Sequence, residues 1–313
     1  MKKIVFIFPG QGSQYPGMGK ELAAFSAGAG AVFEEADDLL GFALRDLIFN
    51  GDERQLRRTE VTQPAILTVS LAILAVLREN GITPGGVAGL SLGEYSALVC
   101  ANSLSFAEAL PLVQKRAVYM QEAVPLGRGG MAAVLGLSAD DVTSVCRAAL
   151  PFGIVEPVNY NCPGQIVIAG HIEALEEACR LVKEQKGKTV KLSVSAPFHS
   201  SLLRSAEGKM SALINSINPR RPEISFIANT DADYLTDPEA IKASLIRQVY
   251  SPVLWEDTIR RFISDGYNTF IEVGPGRSLT GFLKKIDKEV AALHVENEET
   301  LKKVINHLEV VSL

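Results

Sequence analysis

GGVAGLSLGEYSALVCA (residues 85–101) is the stretch on which the reading of this chain turns. A short apolar run from Gly85 to Leu90 passes directly into a segment whose apolar positions suit a helix. At the junction stands Gly89-Leu90-Ser91-Leu92-Gly93, a G-x-S-x-G pentapeptide. Glycines on both sides of a serine, between strand and helix, permit a tight, strained turn that presents the serine Oγ at the helix N-terminus. There the backbone N–H of the next residue, Leu92, can help to hold an oxyanion. The same pentapeptide also serves as a plain turn that needs small side chains, so Ser91 is a candidate nucleophile. Gly276-Arg277-Ser278-Leu279-Thr280 is a near miss that lacks the closing glycine.

Strand–helix alternation extends outward from this elbow. IVFIF (4–8) precedes the glycine-rich FPGQGSQYPGMG, and a long apolar helix is predicted over 63–79, with Gly81 just past its end. Further strands are predicted at MAAVLGL (131–137), QIVIAG (165–170), TVKLSVS (189–195), ISFIAN (224–229) and TFIEVG (269–274). The alternation favours an α/β architecture with a mostly parallel central sheet. Between 128 and 196 the order is strand, helix (Ser138 to Ala149), strand (IVEPVNYN), strand, helix (Ile172 to Lys186), strand. That is the β-α-β-β-α-β order of a ferredoxin-like module, flanked by Gly127-Arg128-Gly129-Gly130 and Ala196-Pro197. The expectation is one large discontinuous domain, 1–127 and 197–313, carrying a small subdomain at 128–196.

Composition narrows the class. The 313 residues are 47% hydrophobic and 21% charged, which excludes an intrinsically disordered chain. A net charge of −5 and the absence of a long Lys/Arg run argue against nucleic-acid binding, while leaving room for a local positive site. The apolar run after Lys2-Lys3 ends at Pro9-Gly10, too short for a signal peptide's core of about 7–15 residues, so it reads as a buried first strand. No uninterrupted apolar stretch approaches the ~20 residues of a membrane span. Cys100, Cys146, Cys162 and Cys179 are widely spaced, which argues against zinc and disulfides and for a reducing cytoplasm. Neither a metal nor a resident cofactor is expected.

A serine nucleophile needs a base, and four histidines are available. His307 and His294 lie near the C-terminus and read as surface residues, and His171 reads as the start of a helix. His199, in the loop Ala196-Pro197-Phe198-His199-Ser200, is where catalytic side chains often stand. The glycine loop after the first strand is no nucleotide site. Gly10-Gln11-Gly12 has Tyr15 where a dinucleotide fingerprint needs glycine, and Gly19-Lys20 is followed by Glu21 where a P-loop needs Ser or Thr. Such a loop can instead bring a backbone N–H close to a substrate carbonyl.

Taken together the chain resembles the malonyl-CoA:acyl-carrier-protein transacylase family of fatty acid synthesis. The resemblance rests on collinear blocks over essentially the whole chain. They are FPGQGSQYPGMG, TQPAILTVSLA (62–72), GLSLGEYSALV, QKRAVYMQ around Arg116, GRGGMAAVLGL (127–137), VNYNCPGQIVIAG (158–170), SAPFHSSLL, QVYSPVLWED (248–257) and EVGPGRSLTGFLKKI. It implies an α/β-hydrolase-like domain with a ferredoxin-like insert. It further implies that Ser91 accepts the acyl group, that His199 is its base and acid, and that the N–H groups of Gln11 and Leu92 form the oxyanion hole. Arg116 would pair with the malonyl carboxylate, the main-chain carbonyl of Gln248 would orient the histidine, and Asn159 and Met120 would line the pocket. Malonyl-CoA and CoA would be substrate and product, holo acyl carrier protein the partner, and the enzyme a monomer. One position departs from the family pattern: Leu90 stands where His usually precedes the nucleophile, which implies altered packing with the chemistry retained.

Three rivals share parts of this pattern. An α/β-hydrolase would place an acidic triad member between Ser91 and a late histidine, yet His199 is mid-chain and no such acidic residue stands out. A discrete acyltransferase of a polyketide synthase shares the motifs, and Phe198 before the histidine resembles malonyl-selective relatives. A non-catalytic carrier-binding module would not need the set Ser91, His199, Arg116 and Gln11. Carrier docking has two candidate basic clusters, Lys183/Lys186/Lys188/Lys191 and Arg277/Lys284/Lys285, each of which also reads as a solvated face.

Overall fold

The computed structural model describes residues 3–194 and 196–310. The nine strands among these are β1 (Ile4–Phe8), β2 (Gly86–Gly89), β3 (Gly129–Leu135), β4 (Val155–Cys162), β5 (Gln165–His171), β6 (Lys188–Lys191), β7 (Ser225–Phe226), β8 (Thr269–Val273) and β9 (Ala291–Val295). They form two sheets. The first has the order β7-β2-β1-β8-β9 with every pairing parallel. Strands in such a sheet are covered on both faces, which is why IVFIF reads as an unbroken apolar run, and TFIEV is buried with its Glu272 carboxylate accepting from Leu279 N and Thr280 N.

The second sheet is antiparallel, in the order β4-β5-β3-β6. Alternate residues of its strands serve two different cores. Ala132 and Val134 of β3, with Ile166 and Ile168 of β5, pack under the helices Ala139–Ala149 and Ile172–Glu184. Their neighbours Met131, Ala133, Val167 and Ala169 face the other way and join the main core. The sheet is also stitched to the rest of the chain at Val253, which accepts from Tyr160 N at 3.0 Å and donates to Val158 O at 2.8 Å.

Several expectations are corrected. The strand predicted at 189–195 ends at Lys191, with Ser195 outside the described residues. The one at 224–229 shrinks to two edge residues, because the chain turns there to carry Asn229 toward the elbow. The strand β9 was not predicted: AALHV is short and follows a charged turn. His294 accordingly lies in a strand, with 24% of its side chain exposed, and is no surface residue. The helix Thr59–Glu79 is, by length and composition, apolar enough to cross a membrane, but 89% of its most apolar window is buried within the fold. Thr62, Gln63, Thr68 and Ser70 interrupt its apolar run and are themselves buried.

The elbow is built by close approach. Built on the backbone of Gly89, a Cβ would stand 1.9 Å from the carbonyl of Gly93, and one on Gly93 would stand 2.1 Å from Phe8 O at the end of β1. The contacts are backbone to backbone, so no rotamer change relieves them. Gly93→Ala is expected to cost about 3 kcal/mol or more in urea unfolding, the upper range for overpacking. A smaller loss would mean that the helix can move off β1.

Candidate active site

Ser91 sits in the turn between β2 and the helix Gly93–Cys100 with φ 54°, a left-handed conformation that a side chain other than glycine seldom adopts. Asn229 holds it there: its Oδ1 accepts from Ser91 N at 2.6 Å and its Nδ2 donates to Gly89 O at 2.7 Å. His199 is also left-handed, at φ 65°, and 4% exposed. Its Nε2 is 2.7 Å from Ser91 Oγ and its Nδ1 is 2.8 Å from the main-chain oxygen of Gln248. A carbonyl only accepts, so Nδ1 carries the proton and Nε2 presents its lone pair to the serine hydroxyl. Burial, and after it the charge of Arg116, pull the ring down to about 4 from its ordinary 6.5, while the bond to Gln248 pulls upward. The imidazole is therefore neutral near pH 7.

Arg116, on the helix Phe106–Glu122, is 1% exposed and meets only neutral acceptors. Nη1 donates to Gln63 Oε1 at 2.7 Å, and Nη2 donates to Gln248 Oε1 at 2.8 Å and to Ser91 Oγ at 3.2 Å. Its guanidinium lies 5.4 Å from the Tyr95 ring centre, and it forms no ion pair among the described residues. A buried cation whose partners are all neutral is a strong site for an anion, above all a planar carboxylate.

These groups border a cavity of about 260 Å³. Gln11 follows β1, Ser91 and Leu92 follow β2, and Leu279 and Phe282 follow β8, so the site lies at the carboxyl ends of adjacent parallel strands. The antiparallel sheet closes it from the other side with Met131, Asn159 and Val167. Met120 lines it too, while Gln248 is fully buried behind it. Among the described residues neither Gln11 N nor Leu92 N donates to a carbonyl. The arrangement can form an acyl-serine ester from a thioester with an acidic acyl group.

Residues 5–306 match the acyl transferase domain family. The malonyl CoA-acyl carrier protein transacylase of Bacillus subtilis (strain 168) is 45% identical over 310 residues, with 98% of each chain covered. The crystal structure of the same transacylase from Clostridium perfringens ATCC 13124 is similar with a TM-score of 0.96 and 42% identity, covering 99% of this chain and 98% of that one. The chain belongs to the malonyl-CoA–acyl carrier protein transacylase family. A further structural neighbour, a malonyl-transacylase in complex with a holo type II polyketide acyl carrier protein, has a TM-score of 0.95 and 39% identity over 98% of this chain and all of that one.

Of the eight sequence-predicted site residues, seven line the cavity, and Gln248 is buried behind it. The remaining histidines stand apart: His171 Nδ1 accepts from Ile154 N at 3.0 Å, and His294 approaches Glu296. Sequence reading missed Gln63, Glu94, Asn229 and the side chain of Gln248. The available signal was weak: Gln63 follows Thr62, Asn229 precedes Thr230-Asp231 and Gln248 follows Arg247, so no local pattern sets them apart, although all four are buried at 2% exposure or less.

The neutral state of His199 has a kinetic signature. A base with an ordinary histidine pKa loses kcat/KM as the pH falls through 6.5, whereas here the plateau should persist and the acid limb should fall at about 4. Arg116→Ala removes one cause of the depression and should move that limb upward. The pH dependence of kcat/KM for serine acylation measures both; a wild-type limb near 6.5 would contradict the burial described.

Proposed function

We propose that this chain transfers the malonyl group from malonyl-CoA to the phosphopantetheine thiol of holo acyl carrier protein, supplying fatty acid synthesis, by a ping-pong reaction through Ser91. The observation that carries the reading is Arg116, buried, unpaired by any carboxylate among the described residues and within 3.2 Å of Ser91 Oγ. Its donors face the one feature that distinguishes malonyl from acetyl.

In the first half-reaction Ser91 Oγ attacks the thioester carbonyl as its proton passes to His199 Nε2. The N–H groups of Gln11 and Leu92 take the oxyanion of the tetrahedral intermediate. Collapse breaks the C–S bond, and the departing CoA sulfur takes the proton back from His199. The carrier's thiol then repeats the sequence on the malonyl-serine ester, giving its proton to His199 and returning Ser91 as a hydroxyl. Arg116 holds the carboxylate throughout, with Asn159 and Met120 beside the acyl group. Leu90 replaces the family's usual histidine by packing against Gly10, where a Cβ would meet its side chain at 3.1 Å. The reading takes a monomer as the working unit. The four free cysteines suit a reducing cytoplasm.

The same reading takes 1–127 with 197–313 as the α/β-hydrolase-like domain and 128–196 as a ferredoxin-like subdomain. The strand order β4-β5-β3-β6, with helices on one face, supports the second part. Of the two basic clusters, Arg277/Lys284/Lys285 is favoured for the carrier: its helix contributes to the cavity, and Lys285 Nζ is 3.4 Å from Gln165 Oε1 on the cavity wall. Lys191 of the other cluster is paired with Glu176.

Charge-assisted bonds to a carboxylate contribute roughly 1.5–3 kcal/mol, which is about 10- to 150-fold in rate. Arg116→Ala should lower malonyl transfer by that range and acetyl transfer by much less, in steady-state assays with holo carrier protein. Equal losses on the two acyl groups would remove the carboxylate role from Arg116.

A further inference from the structure

Gln248 touches all three groups of the proposed mechanism. Its main-chain oxygen holds His199 Nδ1, its Nε2 donates to the main-chain oxygen of Ser91 at 3.0 Å, and its Oε1 accepts from Arg116 Nη2. A carboxamide is nearly symmetric in shape, so a half-turn of its end group exchanges donor for acceptor. Turned that way, it would aim an NH2 at the guanidinium and an oxygen at the Ser91 carbonyl, repelling both. The selection of one orientation thus decides where the arginine stands.

Glu94 bears on that selection. It lies in the first turn of the elbow helix, three residues beyond Ser91, and is 1% exposed. Its Oε2 accepts from Gln248 Nε2 at 2.8 Å and from Asn229 N at 3.1 Å. The oxygen that faces the amide already accepts from Asn229 N, so it is held as an acceptor and takes the NH2 side of the Gln248 carboxamide. Asn229 is the residue that holds the strained Ser91 N, so one carboxylate oxygen ties the support of the nucleophile to the support of the arginine.

We propose that Glu94 is a positioning residue for acyl-group selection: by accepting from Gln248 Nε2 and Asn229 N it fixes the carboxamide that aims Arg116 at the acyl carboxylate. The proposal rests on the reading of Arg116 as the carboxylate-binding group. Glu94 itself meets no substrate. A carboxylate that only complemented the helix N-terminus would stabilise the fold and affect every acyl group alike.

The test is single-turnover loading of Ser91 from malonyl-CoA and from acetyl-CoA, read by intact-protein mass. In Glu94→Ala, malonyl loading should fall about 10- to 100-fold, the range for a misplaced binding group, with a clearly smaller fall for acetyl. Glu94→Gln, whose side-chain oxygen can accept from the same two donors, should restore the malonyl preference to within a few-fold of wild type. Equal losses on both acyl groups in Glu94→Ala overturn the proposal, as does a Glu94→Gln enzyme equally unselective. Gln248→Met cuts the same link at its other end while keeping the main-chain oxygen on His199. It should show the same selective loss even if Glu94→Ala does not fold, and a Gln248→Met enzyme that keeps the preference overturns the proposal. Arg116→Ala separates the two levels: equal losses there defeat the carboxylate reading itself. A selective loss in Arg116→Ala without one in the Glu94 and Gln248 variants defeats the positioning role alone.

Discussion

The carbonyl oxygen of Phe8 and the α-carbon of Gly93 stand so close that no side chain fits between them, and the active site is organised around that approach. It presses the helix after the elbow onto the end of β1. Leu90 N completes the seam by donating to the same Phe8 oxygen at 2.9 Å. Because β1 continues into Gln11 and the elbow into Leu92, two N–H groups from distant parts of the sequence arrive at one end of the sheet. Ser91 is forced into its left-handed conformation by the same geometry, and Asn229 offsets the strain with two hydrogen bonds. Strain at such a position persists only where its surroundings over-determine it.

Electrostatics does the rest among largely buried groups. Burial opposes every charge there: it lifts the Glu94 carboxyl to about 7, depresses His199 and lowers Arg116. Arg116 keeps its charge, as guanidinium groups in proteins do, and its neighbours are arranged to tolerate that charge without cancelling it. Two glutamine side chains give it oxygens, and the nearest carboxylate reaches it only through one of them. A direct ion pair would have been the easier way to bury a guanidinium, but it would have occupied the donors.

Much of this was legible before the structure. Parallel strands covered on both faces are largely apolar, so β1 and, apart from Thr269 and Glu272, β8 announce themselves, as does the elbow by its glycines. The two-residue β7 and the short β9 carry no such signal, since each is defined by its neighbours in the sheet. Ser91, His199 and Arg116 could be named through family resemblance, and the structure sets Ser91 Oγ within hydrogen-bonding distance of both others. The links among Glu94, Asn229 and Gln248 could not be read, because they join positions more than 130 residues apart through side chains with no local pattern. The side chain of Gln248 is the clearest case: the resemblance points to its main-chain oxygen, and only the three-dimensional contacts give the amide a task.

The oxygen that steadies His199 belongs to a peptide group and carries a partial charge where a carboxylate would carry a full one. A dipole favours the protonated ring less strongly, so in the proposed mechanism a proton taken from either thiol or serine would be held loosely and quickly surrendered to whichever sulfur is leaving. The reaction exchanges one thioester for another of similar energy, with an ester between them. For such an exchange the landscape should be nearly level, and a base that binds its proton too well would dig a well in the middle of it. The peptide carbonyl keeps the path flat in both directions.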